Sequence, residues 1–133
     1  MGVALDVVGA GWNAYFARDV EGVIALMSED VEIDLTNYEG WPEDAVYYGH
    51  AGFRRFMEGW LASWERYEAG LHEIEEMSPG CVFTVSWQRG YGAGSRVPVE
   101  MTLAEIATVK DGLLARLELW SDRHAARVEA VRR

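Results

Sequence analysis

The segment MTLAEIATVKDG, residues 101–112, puts an ionisable group where a strand should be apolar. An extended chain alternates its side chains, so Met101, Leu103, Glu105, Ala107 and Val109 share one face. Four of the five suit a core; Glu105 does not. An ionised, unpaired carboxylate in that setting costs several kcal/mol, so the group must be neutral, paired or beside a wetted cavity. If neutral, its O–H can donate to a carbonyl or enolate oxygen, and stabilisation of that kind ranks among the larger catalytic effects. If paired, Arg116 across the next hairpin is the partner, and Glu105 is structural. Leu103 and Ala107 beside it carry no charge, and Phe83, Val85 or Trp87 are expected from the flanking strand. Desolvation by such neighbours raises a carboxyl pKa.

Other reactive residue types offer less. Asp122 follows the final strand pattern and suits a helix N-cap, where its carboxylate would stay ionised. His50, His72 and His124 show no ligand spacing such as i, i+4, and a lone Cys81 cannot build a thiolate cluster, so no metal is expected. Cys81 falls on an apolar strand face and reads as an inert buried thiol. The glycines of GYGAG are not followed by a helix that could present amides to a phosphate, which leaves a hairpin loop. No nucleophile–base pair and no cofactor motif is legible.

These residues must be held by some scaffold, and composition bounds it. The chain has 133 residues, half of them hydrophobic, with six Trp, six Tyr and four Phe. That suffices for a single domain over residues 1–133 with one core. A net charge of −10 opposes nucleic acid and anionic membrane surfaces. No apolar run approaches the ~20 residues of a membrane span, and no signal-peptide pattern opens the sequence, so a cytoplasmic protein is expected.

Periodicity then sets the order of elements. Val8, Trp12, Tyr15 and Phe16 recur at helical spacing. Asp19 can cap a second helix carrying Val20, Val23, Ile24 and Met27. VEIDL (31–35) alternates as a strand, TNYEGWPEDAVYYG reads as an irregular loop, and Phe53, Phe56, Met57, Trp60 and Trp64 form a helical stripe. Beyond Tyr67 the period becomes two. YEAGLHEIEEM ends at Pro79-Gly80, and CVFTVSWQR follows with Cys81, Phe83, Val85 and Trp87 on its apolar face. The strand of Glu105 comes next, then a hairpin at Lys110-Asp111-Gly112 and the strand LLARLELW. Helices followed by consecutive antiparallel strands predict an α+β fold, with N-terminal helices packed on one face of a curved sheet.

The segments ARDVEGVIALMSEDVEIDL, YYGHAGFRRFMEGW and VKDGLLARLELWSDRHAARVEA resemble the nuclear-transport-factor-2-like superfamily, and within it the SnoaL-like and ketosteroid-isomerase-like small proteins. The resemblance spans nearly the whole chain and rests on element order and spacing. It implies a cone-shaped sheet wrapped around the helices, with an apolar pocket open at one end. Members include isomerases, polyketide cyclases and dehydratases, besides proteins without chemistry, so the site must be argued separately. A hairpin gap of one residue matches Glu105 to the protonated acid of the isomerases; an ungapped match gives Ala104. The isomerase base position falls on Leu35, with Asp34 on the opposite face, and its helix tyrosine falls on Gly11, one turn before Tyr15. Steroid isomerisation is therefore not expected. SnoaL-like cyclases carry their acid/base aspartate where Asp122 lies, and Trp120 matches a pocket tryptophan.

The expectation is an apolar pocket bounded by Trp12, Tyr15, Phe53, Trp60, Phe83, Trp87 and Trp120, with Glu105 reaching in. A homodimer is expected through a nearly uncharged outer face formed by Val82, Thr84, Ser86 and Gln88 with Thr102, Ala104, Ile106 and Thr108. Two functions fit. One is binding of a hydrophobic small molecule with cofactor-free acid/base chemistry of the isomerase, cyclase or dehydratase type. The other is a non-catalytic ligand-binding or dimerisation module.

Overall fold

A computed structural model describes residues 3–133. The elements are α1 (Val3–Phe16), α2 (Val20–Ile24), β1 (Met27–Asn37), β2 (Val46–Tyr48), α3 (Gly49–Ala62), β3 (Trp64–Ser78), β4 (Cys81–Gly92), β5 (Pro98–Lys110), β6 (Leu113–Trp120) and α4 (Arg123–Arg132). The α+β class read from the sequence is the one observed. Six strands form one open, curved sheet in the order β2-β1-β6-β5-β4-β3. All neighbours are antiparallel except β1 and β6, which run parallel.

Local chemistry explains the boundaries. Asp19 caps α2 by accepting from the Gly22 amide at 2.9 Å, as its position before the apolar run suggests. Asp111 and Gly112 both adopt positive φ, 53° and 78°, the backbone that a tight hairpin between twisted strands requires. Gly80 turns β3 into β4 at φ 78°, and a Cβ there would lie 2.7 Å from the Val109 carbonyl oxygen. No larger residue fits that turn.

Val8 and Trp12 of α1 and Phe53, Phe56, Met57 and Trp60 of α3 are buried against the interior of the sheet. The aromatic stripe stops at Trp60, because Trp64, which the period assigns to the helix, begins β3. The segment expected as an irregular loop contains β2. Its Tyr47 is only 1 % exposed and accepts a hydrogen bond from Trp41 Nε1 at 2.9 Å. Satisfying that hydroxyl lets an aromatic ring from a turn-rich segment join the core.

The largest departure concerns β4. Residues directly opposite in a ladder point to the same side, and Thr84 opposes Glu105, Val82 opposes Ala107, and Ser86 opposes Leu103. Val82, Thr84, Ser86 and Gln88 therefore face the helices, while Cys81, Phe83, Val85 and Trp87 face outward. The outward face is not left bare. Ala126 and Ala130 of α4, both fully buried, pack on Phe83, Val85, Ala104 and Ile106. The uncharged surface read as a dimer face is thus two surfaces: its β4 half points inward, and part of its β5 half lies under α4. The homodimer expectation took that surface as one continuous outward face, which it is not. No helix among the described residues is long and apolar enough to cross a membrane.

Candidate functional site

Between the helices and the interior of the sheet is a cavity of about 80 Å³. Trp12 and Tyr15 of α1 and Phe53 and Trp60 of α3 line it, as the sequence expects. Leu103, Leu117 and Leu119 close it from β5 and β6. Gly11, at the position of the isomerases' tyrosine, also faces it and contributes no side chain. Five lining residues carry polar side-chain atoms: Trp12, Tyr15, Trp60, Gln88 and Glu105.

Glu105 is the ionisable member of the set whose protonation changes near neutrality. It keeps part of its accessible surface, being neither fully buried nor exposed, because a water-sized sphere fits beside it. Protein atoms nevertheless surround the carboxyl, and that enclosure decides its chemistry. Burial raises its pKa from 4.5 to about 7, with no compensating hydrogen bond or counter-charge among the described residues. The cross-strand neighbour at the same height is Thr84, whose Oγ1 is buried without a hydrogen-bond partner among the described residues.

A chain of hydrogen bonds runs along the other polar residues. Trp60 Nε1 donates to Tyr15 Oη at 3.1 Å, and the Tyr15 and Tyr67 hydroxyls are hydrogen-bonded. Tyr67 donates to Gln88 Oε1, Gln88 Nε2 donates to Ser86 Oγ at 2.8 Å, and Ser86 donates to the Leu103 carbonyl at 3.4 Å. With Gln88 Oε1 towards Tyr67, Tyr67 must donate to it, so Tyr15 donates to Tyr67, and Ser86, which accepts from Gln88 Nε2, donates to the Leu103 carbonyl. Both phenol protons are consumed inside the chain. Burial, with the neighbouring Tyr67, pushes the Tyr15 hydroxyl far above its ordinary value, and burial also raises Tyr67. Tyr15 therefore stays protonated and has no O–H to spare for a ligand.

Three residues expected at the pocket lie elsewhere. Phe83 and Trp87 are on the outward face of β4, Phe83 within the cluster under α4. Trp120 opposes Ala104 across the β5–β6 ladder, so it shares that outward side, with Nε1 buried and unpartnered among the described residues. Asp122 is exposed and caps α4, accepting from the Ala125 amide at 3.0 Å. Its cap reading holds, and its carboxyl does not line the cavity. Gln88 and Tyr67 were missed. The signal for Gln88 was present, since a β4 face with no charge at all is unlike a solvent face.

Arg116 does not approach Glu105. It opposes Thr108 on the outward side and pairs with Glu32 at 2.8 Å and Asp34 at 2.7 Å. Burial pulls the Asp34 carboxyl upward, but bonds from Thr36 and Arg116 outweigh it and hold the group below its usual range. Arg133 binds Glu118, only 3 % exposed, through both guanidinium nitrogens, tying the end of α4 to β6.

The fold has many solved relatives. TerC, crystallised with polyporic acid, is 20 % identical, covers 98 % of this chain and 99 % of its own, and superposes with a TM-score of 0.78. An NTF2-like protein from Burkholderia pseudomallei is 16 % identical, with 98 % of each chain covered and a TM-score of 0.79. RV0760c from Mycobacterium tuberculosis, in complex with estradiol-17beta-hemisuccinate, is 20 % identical over 90 % of this chain and 94 % of its own, with a TM-score of 0.73. At such identities these likenesses establish the fold alone. No curated protein matches the chain. The SnoaL-like domain model matches residues 8–117, most of the sequence and every cavity-lining element except the last turn of β6. With the NTF2-like fold and that match together, the chain belongs to the SnoaL-like family.

Proposed function

We propose that this protein binds a small hydrophobic molecule in the cavity and holds the ligand's carbonyl or enol oxygen on Glu105. One observation carries the reading: an unpaired carboxyl with a pKa near 7 sits in a cavity whose walls are otherwise almost entirely apolar. Such a group costs stability and forms no internal bond that would justify it, so a ligand oxygen is its natural partner. Relatives crystallised with polyporic acid and with a steroid hemisuccinate support ligand binding by this fold. The cavity of about 80 Å³ is well below the ~300 Å³ at the lower end of drug-sized sites. It is also smaller than the ~150 Å³ that holds benzene, so a one-ring ligand requires it to widen, with Met57 the lining side chain best able to rearrange.

Catalysis is a second reading, favoured by the same pKa. A group near half-protonation at neutral pH can both give and take a proton, the condition for general acid–base work. Cofactor-free chemistry of the isomerase, cyclase or dehydratase type fits one such carboxyl.

Acetophenone, an aryl ketone with enolisable hydrogens, tests both readings. Binding predicts saturable shifts of the Leu103, Leu117 and Leu119 methyl resonances, with more distant methyls unmoved. No saturable shift would end the binding reading. Catalysis predicts deuterium uptake from D₂O into the acetophenone methyl, lost in Glu105→Gln. Binding without uptake leaves the non-catalytic module.

A further inference from the structure

We propose that Gln88 is a second ligand-recognition residue, presenting an amide hydrogen to the cavity from the strand beside Glu105, so that the site selects ligands carrying a hydrogen-bond-accepting oxygen. This rests on the ligand-binding reading above and narrows it to a chemical class.

The Gln88 carboxamide has a defined orientation. Its oxygen accepts from Tyr67, and its nitrogen donates one hydrogen to Ser86 Oγ. The reverse orientation would have Nε2 donate to Tyr67 and Oε1 accept from Ser86. Tyr67 would then give its proton to Tyr15, whose own proton would have no acceptor, and the Leu103 carbonyl would lose its Ser86 donor. The observed orientation leaves fewer groups unsatisfied than the reverse, since it supplies an acceptor for both phenol protons and a Ser86 donor for the Leu103 carbonyl. An amide nitrogen carries two hydrogens. The first goes to Ser86; the second has no protein acceptor among the described residues.

Gln88 is 1 % exposed and lines the same cavity as Glu105. A buried amide hydrogen left without an acceptor is costly, and in the cavity wall a ligand oxygen can accept it. The network clamps the side chain at both ends, which makes the remaining N–H a fixed donor and not an adaptable one. Glu105, on the adjacent strand, acts electrostatically on Tyr67, the residue bonded to Gln88, so the two groups belong to one site. Tyr15 and Tyr67 have no free proton to offer. The cavity therefore greets a ligand with hydrogens from Gln88 and from protonated Glu105, and an oxygen acceptor matches them. An alkene offers no such match.

Acetophenone and α-methylstyrene provide the test, since they share a shape and differ by C=O against C=CH₂. Their affinities are measured for the wild-type protein and for Gln88→Met by methyl-shift titration, so that differences in ligand desolvation cancel between proteins. The wild-type preference for acetophenone should fall about three- to tenfold in Gln88→Met, the worth of one neutral hydrogen bond. In the wild-type protein, one Gln88 Nε2 proton should shift with acetophenone and not with α-methylstyrene. This second readout needs no variant and decides the matter if Gln88→Met fails to fold. An unchanged preference, or Nε2 protons that respond equally to both compounds, would overturn the assignment while leaving ligand binding intact. If neither compound binds, the ligand-binding reading fails and the role of Gln88 fails with it.

Discussion

Glu105 lies directly across the β4–β5 ladder from Thr84, and both point towards the helices. The threonine hydroxyl is fully buried and unpartnered among the described residues, and the carboxyl beside it is desolvated to a pKa near 7. Two adjacent polar groups without internal partners, set in an apolar interior, mark a place where the fold gives up stability. Sites of that kind are where function is to be sought.

Thr84→Val replaces the unpaired hydroxyl with a methyl group of similar shape. Removing a buried polar group that has no partner should leave stability unchanged or raise it by about 1 kcal/mol. Chemical denaturation checks this, and a loss above about 1 kcal/mol would mean the hydroxyl is satisfied after all.

Stability should fall as pH rises through the range where Glu105 titrates. Its folded pKa of about 7 exceeds the unfolded value of 4.5, so the folded state holds the proton longer. The favourable contribution is complete below pH about 4.5, declines above it, and is gone beyond about 7. Its full size is on the order of 3 kcal/mol for a shift of that extent. Glu105→Gln should remove this slope and be more stable than wild type above pH 7. Denaturation midpoints across pH 4–8 provide the check; parallel wild-type and variant curves would contradict it.

Tyr67→Phe should be costly. It leaves the Tyr15 proton without an acceptor and Gln88 Oε1 without its donor. A loss of about 1–3 kcal/mol is expected for such stranded buried groups. A double-mutant cycle with Tyr15→Phe should show clear coupling; additive losses would argue against a connected chain.

Arg116→Leu strands Asp34 on the outward side of the sheet but leaves Glu118 held by Arg133. The pairs are half-exposed, so a cost of about 1–2 kcal/mol is expected, between surface and buried limits. The apparent pKa of Glu105 should not move. A rise in that pKa on losing Arg116 would restore the ion pair that the structure breaks up.

Much of the architecture was legible because it depends on local rules. Helical spacing located α1 and α3, Asp19 and Asp122 announced their caps, and Asp111-Gly112 announced its hairpin. Alternation on β5 put Glu105 on the interior face from one strand's pattern alone. The same rule misassigns β4, whose more apolar face is the outward one. A sheet covered on both sides needs an apolar outward face as well, and α4 supplies that cover to Phe83 and Val85. Parity leaves no middle outcome: choosing the wrong face of β4 removed Phe83 and Trp87 from the site and hid Gln88. Trp120 was misplaced by likeness to a family position, without a register to check it. Tyr67 sits where β3 is irregular, between Glu65 and Glu68, so no period could aim it.

At neutral pH Glu105 is a carboxyl near half-protonation that faces the cavity. A carbon-detected NMR titration of its carboxyl, assigned by comparison with Glu105→Gln, measures this directly. An apparent value near 7 is expected in the ligand-free protein, moving when acetophenone occupies the cavity. A value at or below the ordinary ~4.3 of a solvated glutamate would contradict it.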